Sequence, residues 1–159
     1  MGRVARWSIV ALAVFSALLT PAPPSESAPP HRLAVLIASA WKGDTSVHAD
    51  VMATYQVLRR RGFAPEELMA LSGPLTRSAV LAFLQDIHRR MASWDAGEVW
   101  LSYSGHGFYE GKAAADARPG LLLTGEPLPP GPEQQVLWDE VFAVLRVPAA
   151  VQLTVLPDS

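Results

Sequence analysis

Apolar and polar positions follow two rhythms along this chain. Leu33-Ala-Val-Leu-Ile-Ala38 is a short unbroken apolar run. A run of that length predicts a strand buried on both faces, as in a parallel sheet. From Val47 the apolar positions Val51, Tyr55 and Leu58 recur at helical spacing. Arg59, Arg60 and Arg61 close that helix, where cations complement its dipole, and Gly62 suits the C-cap. Leu68–Leu71 predicts a second strand, punctuated by Gly73-Pro74. Thr76 is placed to cap a second helix whose buried stripe is Val80, Leu84, Ile87 and Met91. Gly97 then leads into a third strand, Val99–Tyr103.

Beyond Tyr103 the rhythm loosens. Phe108–Pro119 is small, polar and glycine-bearing and predicts a mobile loop. Leu121–Leu123 predicts a short strand or hairpin arm, and the Pro-rich Glu126–Pro132 an extended connector. Leu137, Val141 and Leu145, with Trp138 and Phe142, predict a third helix ended by Pro148, followed by a fourth strand, Val151–Leu156. The order βα, βα, β, a long excursion, α and β predicts an α/β layered fold around a mostly parallel sheet of about four strands.

The first residues have another character. Arg3 and Arg6 precede an apolar stretch from Trp7 to Leu19, and a Pro-rich, small-residue segment runs to Ala28. This is the layout of a secretory signal peptide, too short in its apolar part to span a bilayer comfortably. The expected organisation is a signal peptide over 1–28, a linker over 29–32 and one domain over 33–159. The product would be exported, periplasmic or secreted, with no membrane span in the mature chain. An uncleaved anchor or a misassigned start codon is the alternative.

Composition narrows the chemistry. The 159 residues suffice for one domain with a real core, since half are hydrophobic and 18% are charged. A net charge of -2 gives no basic face for nucleic acid. Cysteine is absent, which excludes disulfides, thiolate zinc sites and thiol catalysis by this sequence alone. No Gly-x-Ser-x-Gly elbow and no Walker or Rossmann glycine pattern occurs.

In open parallel sheets, working residues gather beyond the C-terminal ends of the strands. Two groups stand there: Tyr103-Ser-Gly-His-Gly107 after the third strand and Asp158-Ser159 after the fourth. The imidazole of His106 is suited to proton transfer near neutral pH, and glycines on either side allow unusual backbone angles and close approach of a substrate. A turn residue between glycines is the plainer interpretation of the same four letters. His31 falls in the leader's tail, His48 in a first helical turn, and His88 beside Arg89 and Arg90 on an expected solvated face.

From the strand Leu33–Ala38 through Ala49-Asp50, Leu101-Ser-Tyr-Ser-Gly-His-Gly107 and Val151–Leu156 to Asp158-Ser159, the chain resembles the caspase-like cysteine peptidases (peptidase family C14), particularly metacaspases and their bacterial relatives. The resemblance implies a three-layer sandwich truncated after the fourth core strand, corresponding to the p20-type portion. His106 matches the family's catalytic histidine. Asp158-Ser159 matches the first two residues of the Asp-Ser-Cys run that carries the nucleophile, so the cysteine is expected just after Ser159. The Gly107 N–H would then serve the oxyanion. Asp50, Ser104 and Asp158 match the positions that hold an Arg or Lys before the scissile bond.

The expected activity is therefore cysteine endopeptidase action on a peptide or protein substrate, with no cofactor. As given, the chain is expected to be inactive. A fragment ending before the nucleophile is the main interpretation, and a non-catalytic peptide- or partner-binding module is the alternative. Pro157 stands where the family usually has an aliphatic residue. Glu110, Asp116 and Glu126 are too scattered to supply the six to eight oxygens that calcium prefers, so no metal site is expected.

Overall fold

A computed structural model of the chain describes residues 31–40, 46–123 and 130–158. The expected signal peptide and residues 126–129 of the connector lie outside the described residues. The first half runs β1 (His31–Ser39), α1 (Ser46–Arg60), β2 (Leu68–Gly73), α2 (Arg77–Met91) and β3 (Gly97–Ser104). After it come β4 (His106–Glu110), β5 (Arg118–Leu122), β6 (Gln135–Leu137), α3 (Trp138–Leu145) and β7 (Val151–Asp158).

Four strands form one sheet in the order β2-β1-β3-β7, and each pairing in it is parallel. Strand alternation divides its side chains between two cores. Leu33, Val35 and Ile37 of β1 and Val99, Leu101 and Tyr103 of β3 face Val80, Leu84, Ile87 and Met91 of α2 and Val141 and Leu145 of α3. Ala34, Leu36 and Ala38 face Val47, Val51 and Leu58 of α1, together with Phe63. Helices therefore cover both faces, giving three layers. A fully buried Leu, Ile or Met of this kind contributes about 1.5–3 kcal/mol through apolar area removed from water.

The predicted caps form. The Thr76 hydroxyl accepts the Ala79 N–H at 3.2 Å, opening α2. Gly62 takes φ +86° just past α1.

Two stretches differ from the expectation. β1 begins inside the expected linker, because His31 stacks on Trp94 with ring centroids 4.9 Å apart and the Arg32 guanidinium pairs with Glu67 at 3.0 Å. Within the expected mobile loop at 108–119, residues 108–110 and 118–119 are strand instead: they belong to an antiparallel hairpin, β4–β5, extended by β6 into a second, three-stranded sheet, while 111–117 connect its arms. Its residues are too small and polar to display a strand period in sequence. Their pairing is reinforced by an ion pair of 2.9 Å between Glu110 and Arg118, which sit opposite each other in the register.

Candidate active site

Gly105 is where the chain leaves the parallel sheet and enters the hairpin. Its φ of +154° is one that L side chains rarely adopt. A Cβ there would also lie 2.7 Å from the Tyr103 hydroxyl and 3.1 Å from the Ser39 carbonyl. Glycine is thus required by both conformation and space.

Beneath that turn lies a small buried polar cluster. Tyr103 is 1% exposed, and its hydroxyl faces the carbonyls of His106 at 2.9 Å and Leu122 at 2.8 Å. A phenol has one proton, so the two carbonyls share it. His106 and Leu122 are register partners across β4 and β5, so this one hydroxyl anchors both strands of the hairpin at its base. The Ser39 hydroxyl donates to the Leu123 carbonyl and ties β1 to the same spot. Burial pushes the Tyr103 phenol far up, against a smaller lowering by a hydrogen bond with Ser39, so the group stays protonated and remains a donor.

Above the anchor, His106 and Gly107 line a cleft of about 540 Å³ whose other walls are Phe108, Tyr109, Pro119, Gly120, Trp138 and Pro157. His106 is exposed at this wall. The Trp138 ring is held edge-on by Tyr103, with centroids 6.5 Å apart, and stacks on Phe142 at 5.6 Å. Gly120 has no Cβ for a physical reason, since one would collide with the Phe108 ring. The Tyr109 ring stands 76% exposed at the rim.

Asp50 and Ser104 also meet. The Ser104 hydroxyl, on a buried residue at the tip of β3, donates to Asp50 Oδ2 at 3.2 Å from α1. Strand alternation puts Ser104 on the α1 side of the sheet, opposite Tyr103 and Trp138. The tip of β3 thus carries a carboxylate–hydroxyl pair on one side and the His106 cleft on the other. Asp50 and Ser104 do not line the cleft around His106. Asp158 stands beside Ser104 in the parallel register of β7 and β3, and Pro157 beside Tyr103. Gly107 lies in regular strand pairing opposite Leu121, without the unusual angle allowed for it in the sequence.

Sequence reasoning placed Tyr103 in the candidate block without a role, and missed Ser39, Tyr109 and Trp138 as parts of this site. In the sequence Trp138 is one more apolar residue of a helical stripe, whereas in the structure it opens α3 and faces the cleft. The available signal was the run Trp100-Leu-Ser-Tyr103, in which a tyrosine replaces an aliphatic residue at the last inward position before the glycine. The remaining histidines stand apart: His31 at the start of β1, His48 exposed in the first turn of α1, and His88 half-buried on α2 rather than on a solvated face.

Among the described residues, no group of three His, Cys, Asp or Glu side chains is arranged to hold a metal ion. Nor is any helix among them long and apolar enough to cross a membrane. A scan against protein-family models matches none, and a search of curated proteins returns no relative.

Proposed function

We propose that the chain carries the histidine-bearing part of a caspase-like cysteine endopeptidase that cleaves after Arg or Lys. The observation that supports this most is the register of β3 against β7. Ser104 is paired with Asp158, so His106 and the residue that would follow Ser159 each stand two positions past the same rung of two parallel neighbours. Parallel strands lie about 4.8 Å apart, so groups leaving adjacent tips can meet. A three-layer fold with a parallel sheet, the Tyr103–His106 block and the Asp50–Ser104 pair agree with the same reading.

The chemistry follows from the groups. A cysteine after Ser159 would supply a thiolate, and its sulfur would attack the carbonyl carbon before the scissile bond. His106 would take up the thiol proton and deliver it to the nitrogen of the departing amine, leaving a thioester that water hydrolyses. The Gly107 N–H, with that of the cysteine, would stabilise the oxyanion, and donors of this kind contribute about 3–4 kcal/mol each. Asp50, oriented by Ser104, and Asp158 would attract the cationic side chain before the scissile bond.

The test is the codon that follows Ser159, together with the activity of the protein that includes it. Cysteine in frame, and thiol-dependent cleavage of an Arg-terminated fluorogenic peptide, are expected. Another residue there, or no turnover, would overturn the peptidase reading in favour of a non-catalytic peptide-binding module.

A further inference from the structure

The cleft beside His106 has a composition that the proposed activity does not itself require. Phe108, Tyr109 and Trp138 supply three aromatic rings, and Pro119 and Pro157 supply two rigid apolar walls. No carboxylate, lysine or arginine is among its described lining residues. The proposed recognition pair, the Asp50 carboxylate and the Ser104 hydroxyl, lies on the opposite side of the β3 tip. His106 sits on the wall of the aromatic cleft.

An imidazole that protonates a leaving amine must face the amine side of the scissile bond. Resting on the reading above, we propose that this cleft receives the residue immediately after the scissile bond and selects an aromatic or large apolar side chain there. The rings offer face and edge surfaces to an incoming ring, and the site is large enough for one. A charged side chain would lose hydration there, with no described lysine, arginine or carboxylate on the wall to compensate it. Tyr109 and Trp138 are then specificity-determining residues. Trp138 is held in place by Tyr103 and Phe142, while Tyr109 is free to close over the occupant from the rim.

The experiment needs no thiol and uses the 159-residue chain. Phe-Gly-amide reproduces the leaving product, with its amine at the position of the cleaved bond. Titrated by NMR, it should shift the resonances of His106 and the Trp138 indole. Ala-Gly-amide and Asp-Gly-amide should bind about tenfold more weakly, from the apolar area they fail to bury. Tyr109→Ala, a change at an exposed ring, should weaken Phe-Gly-amide about threefold and leave Ala-Gly-amide unaltered. Equal affinity for the three peptides would overturn the proposal. So would shifts confined to other parts of the chain, insensitivity to Tyr109→Ala, or no shift up to the peptide's solubility limit. Failure of the peptidase reading is seen separately, in the codon after Ser159 and in turnover.

Discussion

The hydroxyl of Tyr103 and the carbonyl of His106 lie 2.9 Å apart, so the backbone of the candidate catalytic histidine is held from below by a buried side chain three residues earlier. The phenol also reaches the Leu122 carbonyl. Tyr103→Phe keeps the ring and removes the donor. It should lower stability by about 1–3 kcal/mol, because two carbonyls at the hairpin base lose their partner. Denaturant unfolding gives the loss, and NMR should show His106 and Leu122 displaced while α2 is unchanged. A variant as stable as the parent, with His106 undisturbed, would contradict the anchoring role.

Gly105 makes a second prediction. Gly105→Ala must accommodate a Cβ against the Tyr103 hydroxyl while keeping φ +154°. Strain of this sort costs about 1–3 kcal/mol. The hairpin should relax by turning away from β3, visible as lost protection of β4 and β5 amides in hydrogen exchange. Protection equal to the parent's would show that the turn tolerates a side chain.

Most of the parallel sheet and its helices were legible because their residues repeat a period that burial enforces. Val80, Leu84, Ile87 and Met91 each read as one stripe and are each fully buried. The hairpin was not legible, because what holds it is not periodic. It depends on one tyrosine hydroxyl, one ion pair and a glycine beneath a phenylalanine ring. Phe142 belonged to the same apolar pattern as Val141, yet it is 42% exposed and spends its face on Trp138. Asp50 and Ser104 are grouped only by the resemblance, since nothing in local spacing joins residues on α1 and β3. Their separation from the His106 cleft arises from strand alternation at the tip and emerges only when Trp138 is positioned.

Glu140 should contribute to acid sensitivity. Burial tends to raise its carboxyl, but a hydrogen bond from the Leu137 N–H at 3.0 Å and the hydrogen bond and charge of Arg77 outweigh this, as does the charge of Arg118, and hold it below the ordinary 4.5. A carboxyl depressed in the folded state contributes stability above its unfolded value and loses it as pH falls through the folded value. Between about pH 6 and pH 3, the parent's unfolding midpoint should therefore fall more steeply than that of Glu140→Gln. Parallel curves would show that this carboxylate does not couple α3 to folding.

The recognition role proposed for Asp50 and Ser104 can be examined by binding alone. A peptide ending in Arg should bind the chain more tightly than one ending in norleucine, and added salt should erode the difference. Asp50→Asn should weaken the Arg peptide about fivefold, the modest effect expected of an exposed carboxylate, and spare the norleucine peptide. Equal losses for both peptides would point to a structural role for Asp50 in α1.

The most direct measurement is the rate of cleavage of an Arg-terminated fluorogenic peptide by protein extended through the codons after Ser159, with His106 intact and with His106→Ala. The account predicts turnover that a thiol-alkylating reagent abolishes and that falls about 10²–10⁴-fold in the variant. Turnover that survives His106→Ala undiminished, or that ignores the alkylating reagent, would contradict it.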